Sequence, residues 1–355
     1  MFTGGTVDVS VHEKNLDGTL KELHRASGGP WGGTCVDKSY IDWLTQMFGM
    51  KTIERLKRES MGDYVDMLRD FENKKRSIAS DTTGLITLRV SAALKEYHDE
   101  SDEENIVSKI ARMNLKEEVK FQRDKLRVSA DIARKWFQHS IDMTVRHITG
   151  ILAEPKMNDV STILLVGGFG ECKLVQEAVR KAVGKRAVII PDEAGLAVLK
   201  GAVRFGHQPR LVSSRHVKFT YGFGAHANFD ASKHHQDKMI ISSYGDKVVA
   251  DCFEKVVEID TSVEVGKDIE SSKEWFLNKQ GGTSLYIYAS TECDPEYITD
   301  PSCTKIGELA LGDAPGKTLQ ENKIKVYFAF GDTELKASVK ILKTEQVVTK
   351  IVDCL

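Results

Sequence analysis

Several features are missing from this 355-residue chain, and each absence removes a class of function. No run of eighteen apolar residues occurs, so no membrane-spanning helix is expected. Fifty Lys and Arg stand against 52 Asp and Glu, a formal charge of -2, so neither sign is in excess to favour a nucleic acid or a membrane surface. Six cysteines lie scattered at 35, 172, 252, 293, 303 and 354 with no CxxC pair among them. A reducing, cytoplasmic setting with buried thiols fits that pattern, and His234, His235 and Cys252 lack the spacing of zinc ligands. The absence of GxxxxGK[ST] excludes a P-loop. The opening Met1-Phe2-Thr3-Gly4-Gly5 does not read as a secretory signal.

What is present is an ordinary globular composition, 41% apolar and 29% charged, with length enough for two domains. Its centre is residues 162–183. Thr162-Ile163-Leu164-Leu165-Val166 is a charge-free strand suited to burial on both faces. Gly167-Gly168-Phe169-Gly170 makes a turn, and a helix follows with Leu174, Ala178 and Ala182 on one side. A glycine turn between strand and helix suits an anion-binding site and equally suits a joint that binds nothing. At the start, Gly4-Gly5-Thr6 enters the alternating Val7, Val9, Val11. Its N–H groups could cradle phosphate and Asp8 a hydrated magnesium ion, or the segment could be a plain hairpin turn.

Ser27-Gly28-Gly29-Pro30-Trp31-Gly32-Gly33-Thr34 reads as a loop, followed by a helix over 36–50 with Ile41, Leu44 and Phe48 on one face. A second helix, 61–80, turns Tyr64, Val65, Leu68, Phe71 and Ile78 inward. Glu72, Lys75 and Arg76, three and four apart on its other side, make a solvated ion-pair face or part of a site. A strand is expected over 84–90, an exposed acidic loop over 98–105 and a hairpin over 119–128 turning near Asp124. Ser129 caps a helix to 152 whose Trp136 belongs to the core. Residues 187–190 make another strand, Pro191-Asp192-Glu193 a turn, and 194–205 a helix of small residues able to approach another backbone closely. This is a βαβ unit, with Asp192 at a carboxyl strand end, where such sheets bind ligands. After 207 helical periodicity gives way to short strands and turns such as Tyr244-Gly245-Asp246 and Gly331-Asp332-Thr333, the texture of a β-sandwich.

Gly4-Gly5-Thr6-Val7-Asp8, Val166-Gly167-Gly168-Phe169 and Pro191-Asp192-Glu193-Ala194 with Gly201-Ala202-Val203 occur in an order that resembles the actin-like ATPase superfamily, and within it the heat-shock 70 kDa family. Residues 27–34, 195–203 and Phe330-Gly331-Asp332-Thr333-Glu334-Leu335-Lys336-Ala337 look like its atypical, heat shock 70 kDa protein 12-like branch. The resemblance covers essentially the whole chain. It implies an α/β second lobe of an actin-like nucleotide-binding domain over 1–206, built on a ribonuclease-H-like sheet with an inserted α+β subdomain at about 36–118. A linker at 207–216 and a β-sandwich at 217–355 for extended peptide or protein clients would follow. ATP or ADP with Mg2+ is the implied ligand. Gly4, Gly5 and Thr6 would form a phosphate loop, with Asp8 near magnesium. Glu72, Lys75 and Arg76 would pack on ribose and adenine, Gly167, Gly168 and Phe169 would form the adenosine loop, and Asp192 would lie near the adenine end.

The departures from that pattern matter too. Phe169 replaces a Ser, Glu171 an Arg and Ala79 a Ser near the base, and 210–215 is more polar than the usual linker. Nothing here matches the family's first lobe, with its other phosphate loop and catalytic lysine. The expectation is therefore a partial member that does not hydrolyse ATP alone and leaves an apolar face uncovered. The alternative is a non-enzymatic scaffold with a vestigial nucleotide site. A dinucleotide oxidoreductase fits poorly, since Lys173 stands where its fingerprint wants glycine.

Overall fold

A computed structural model describes residues 1–353 apart from positions 102–103, 123, 233, 235, 278–282 and 332–333. His235 and Cys354, and Asp332 and Thr333 of the expected 331–333 turn, thus lie outside the described residues. The chain divides into two compact units, Met1–Val9 with Ser27–Arg204, and Ser10–Ala26 with Phe205–Leu355. No described helix is long and apolar enough to cross a membrane.

Strands β1 (Val7–Lys14) and β2 (Leu20–Gly29) form a hairpin whose outer part, Ser10–Ala26, clusters with the second unit. The first unit continues with helices α1 (Gly33–Phe48), α2 (Met50–Glu59) and α3 (Met61–Lys75), strand β3 (Leu85–Arg89), and helices α4 (Ala92–Asp99) and α5 (Ile106–Arg112). Strands β4 (Val119–Gln122) and β5 (Lys125–Ser129) pair as the expected hairpin, and β3 joins β5 to make an antiparallel sheet of three. The Ser129 hydroxyl then accepts from Ile132 N and starts α6 (Ala130–Leu152), as a capping serine should. One apolar cluster joins these elements. At its centre the Tyr40 and Phe71 rings stack at 3.9 Å, with Trp136 edge-on to both.

Strand β6 (Thr162–Leu164) leads through the glycine turn into α7 (Lys173–Ala182) and on to β7 (Ala187–Ile189), which pairs with β6 in parallel. Burial on both faces is not observed. Ile163 and Val188 pack on the core, while Leu164 and Ile189 are 58% and 49% exposed on the other face. In α7 the inward stripe is Leu174, Val175 and Val179, one position round from the alanine stripe expected, because Val and Leu bury more apolar area than Ala. The last helix, α8 (Ala194–His207), buries only Ala194; Leu199 and Val203 are 62% and 58% exposed, so beyond its first two residues, Ala194 and Gly195, its small residues do not serve a close approach. The 98–105 loop expectation fails at its first residue: His98 is buried in α4, and its Nδ1 lies 3.0 Å from the Phe48 carbonyl.

In the second unit, residues 212–216 are a strand, β8 (Val212–His216), where the sequence suggests a polar linker. It runs parallel to β2 and antiparallel to Ser262–Glu264. Two side-chain bonds tie it to the hairpin: Glu22 accepts from His216 N at 3.0 Å, and Ser213 donates to Leu20 O at 3.1 Å. Two further antiparallel sheets follow. One orders Met239–Ile241, Lys247–Val257, Thr220–Asn228, Thr283–Ser290 and Cys303–Gly312; the other orders Asp268–Glu270, Lys323–Phe330, Glu334–Ile341 and Val347–Asp353, with Trp275–Phe276 beside the second of these. Phe223, Ile287 and Leu309 of the first sheet share one apolar core with Val326, Phe328 and Val339 of the second.

Candidate functional site

Within the first unit a cavity of about 490 Å³ is lined by Gly4, Gly33, Thr34, Asp37, Glu72, Lys75, Arg76, Phe137, Gly168, Phe169, Glu171 and Cys172. Its volume lies in the range of small-molecule pockets. Five segments remote in sequence converge on it, and backbone bonds fix three of them together. Phe2 N donates to Val166 O at 2.6 Å and Phe169 N to Phe2 O at 3.0 Å, tying the chain start to the glycine turn. Gly33 N and Thr34 N, at the start of α1, donate to Thr3 O and Gly4 O at 3.2 and 2.7 Å. A Cβ on Gly32 would sit 2.5 Å from both carbonyl oxygens, so only glycine allows this approach. Those bonds also occupy the donors that an uncapped helix start would otherwise offer to an anion.

Lys75 ends α3 on its buried face, 7% exposed, which removes the solvated ion-pair reading for this residue. Its Nζ lies 2.7 Å from Asp37 Oδ1 and 2.5 Å from Glu72 Oε2, and donates to Gly33 O at 3.3 Å. Arg76 Nε donates to Glu72 Oε1 at 2.9 Å while most of its side chain stays in water. The two carboxylates respond differently. Burial pushes the Asp37 carboxyl up, and the bond from Lys75 opposes this without reversing it. Burial pushes Glu72 the same way, but hydrogen bonds from Lys75 and Arg76 together hold it below the ordinary carboxylate value. Glu72 is thus the firmer counter-charge to Lys75. Cys172 is buried and its thiol is pushed up by burial, so it lines the cavity as an apolar group rather than a nucleophile.

Of the residues expected in a site, Gly4, Glu72, Lys75, Arg76, Gly168 and Phe169 line this cavity. Gly5, Thr6, Asp8, Gly167 and Asp192 do not. Thr6 Oγ1 donates to Asp8 Oδ2 at 2.8 Å. Gly167 lies beneath the lining, with φ of 93° and its N–H donated to Ala194 O at 2.7 Å. Asp192 is in an exposed turn. Among the described residues no group of three or more His, Cys, Asp or Glu is placed to hold a metal. Sequence reading missed Gly33, Thr34, Asp37, Phe137 and Cys172, and noted Glu171 only as a departure near the base. Asp37 was discoverable: it lies one turn beyond Gly33 on the same helix face, directly after a glycine cluster. Phe137 carried no signal apart from its place beside a core tryptophan.

No protein-family model matches the chain. Aligned over 357 residues, it is 32% identical to heat shock 70 kDa protein 12A of Mus musculus, covering 99% of this chain and 53% of that one. It is 31% identical over 363 residues to heat shock 70 kDa protein 12B of Homo sapiens, again covering 99% of this chain and 53% of the other. Chaperone protein DnaK of Mycoplasmopsis synoviae is 27% identical over 214 residues, 58% of this chain and 31% of that one. The chain spans about half the length of the curated heat shock 70 kDa relatives it matches.

Proposed function

The chain is a homologue of the atypical heat shock 70 kDa protein 12 branch of the heat-shock 70 family, and from that premise we propose that its cavity binds the adenosine end of ATP or ADP. The observation that carries this reading is Gly168. It lines the cavity, a Cβ there would meet nothing within 4 Å, and its φ is not in the left-handed region. Neither packing nor backbone conformation demands glycine at that position, which suits a ligand face lying against the main chain. Glu72 and Arg76 offer an acceptor and donors suited to ribose hydroxyls, and Phe169 and Phe137 an apolar wall.

The fit is to the nucleoside part. Thr6 and Asp8 are bonded to each other outside the lining, and the helix-start donors already have partners. These chain residues alone supply little grip for a magnesium triphosphate, which favours binding without turnover. When bound, the nucleotide would supply a transferable phosphoryl group; this chain's residues hold and orient its nucleoside end. The same premise assigns extended peptide or protein clients to the all-β unit. A scaffold role with a vestigial site is the second reading, favoured by that same lack of a phosphate grip.

Titration calorimetry with ADP tests the choice. Saturable binding is expected, and Gly168→Val should abolish it while the chain still folds, since a Cβ at that position meets nothing within 4 Å. Absence of saturable ADP binding by the unmodified chain supports the scaffold instead.

A further inference from the structure

Three carboxylates line the cavity, Asp37, Glu72 and Glu171, against two cations, Lys75 and Arg76. Both cations are engaged: Lys75 by Asp37 and Glu72, Arg76 by Glu72. Among the described residues no ion pair reaches Glu171, which leaves it as the lining carboxylate with no cation to neutralise it. Yet it is not loose. Its Oε1 accepts from Gly195 N, near the start of α8, at 2.9 Å. That amide, near the helix start, anchors one oxygen of a carboxylate that is otherwise open to water and the cavity. A Cβ on Gly195 would lie 3.1 Å from that oxygen and 3.8 Å from Gly168 Cα. Glycine at 195 therefore lets Glu171 stand close beside the open backbone of Gly168. Phe169 and Glu171, with Gly170 alone between them, lie on a single 3-10 turn, Gly168–Glu171.

A fixed, unpaired acceptor on a ligand cavity selects a ligand that brings a hydrogen-bond donor to it, and repels one that brings a second acceptor. Resting on the nucleotide reading above, we propose that Glu171 is the specificity-determining residue for the base, its second carboxylate oxygen accepting from the exocyclic amino group of adenine. Adenine carries an N6 amino donor on that edge, whereas hypoxanthine, its 6-oxo counterpart, carries an acceptor there, as guanine does at O6. The site therefore discriminates adenine from hypoxanthine through charge as well as geometry. The group acts by being held still: the Gly195 amide fixes one oxygen so that the other is presented without loss of side-chain freedom on binding.

Calorimetric titration of the whole chain with ADP and with inosine 5′-diphosphate tests this. The expected preference is about tenfold or more for ADP, the scale of one hydrogen bond to a charged group. Glu171→Gln keeps an oxygen for Gly195 N but replaces the second acceptor by an amide donor, which matches the 6-oxo group. It should erase or invert the preference while leaving the melting temperature of the free protein as it was. Glu171→Asp keeps the charge but withdraws it by one methylene, and should weaken ADP without strengthening the inosine nucleotide. An ADP to inosine diphosphate ratio near one in the unmodified chain, or a ratio unmoved by Glu171→Gln, overturns the assignment to Glu171 while leaving nucleotide binding intact. Failure of both nucleotides to bind overturns the nucleotide reading and this assignment with it.

Discussion

Lys75 shows how much one buried charge can organise. Its ammonium is nearly out of water, and two carboxylates and a carbonyl from α1 and α3 replace the lost hydration. Asp37 and Glu72 are each partly solvated, so losing either leaves the other to compensate. Asp37→Asn or Glu72→Gln alone should lower stability by about 1 kcal/mol, because the amide oxygen still accepts from Nζ. The double variant strands the ammonium, and its loss should exceed the sum of the singles by about 0.5–3 kcal/mol in urea unfolding. Additive losses would show that Lys75 is not held by charge. The pH dependence has a definite sign. Glu72 titrates below its ordinary range in the folded chain, so its contribution is complete at neutral pH and fades as acid protonates it. The gap between the unmodified chain and Glu72→Gln should be full at and above the ordinary glutamate range and close only as pH falls below it, through the lowered folded value. Periodicity alone put Lys75 on a solvated side, since charged residues three and four apart usually mark one. The family likeness moved it into a site, and its partner Asp37 stayed hidden because a helix pattern does not say which other helix it will meet.

At the scale of the element, the strand–turn–helix of 162–182 was legible because strand, glycine turn and helix each have a local cause. The division of labour inside Gly167-Gly168 was not, because both letters are the same. The structure separates them. Gly167 has φ of 93°, and a Cβ there would sit 2.2 Å from Phe2 O, whereas a Cβ on Gly168 meets nothing within 4 Å. Gly167→Ala should cost about 2 kcal/mol or more in chemical unfolding, from backbone strain and from displacing the 1–6 segment. Gly168→Ala should stay within about 0.5 kcal/mol of the unmodified chain. Equal losses at the two positions would mean that the turn is not pinned to Phe2. Helix α8 misled for a related reason: runs of Ala and Gly permit a close approach but do not cause one. Only its first two residues, Ala194 and Gly195, are used that way.

For the whole molecule, the change of texture near 207 was visible as lost helical periodicity, while the assignment of Ser10–Ala26 was not. Hairpin strands look alike whichever core they join, and the deciding contact is the parallel pairing of β2 with β8, about 190 residues later. The two apolar cores share no residue: one draws on Phe2 to Val183, the other on Val217 to Val352. Separate cores predict separate cooperative transitions. Phe328 is fully buried at the heart of the second core, facing residues of the other sheet in its unit, and truncating it leaves a cavity that β-strands close poorly. Phe328→Ala should remove about 3–5 kcal/mol from the second unit only. The sequence provides its own reporters, because Trp275 is the sole tryptophan beyond position 207 and Trp31, Trp43 and Trp136 lie in the first unit. Near-ultraviolet circular dichroism of single-tryptophan variants should show the Trp275 transition moving down in temperature while the Trp136 transition stays. A single transition that shifts for both reporters would mean that the two cores unfold as one, and binding in the cavity would then stabilise the all-β unit by the same free energy.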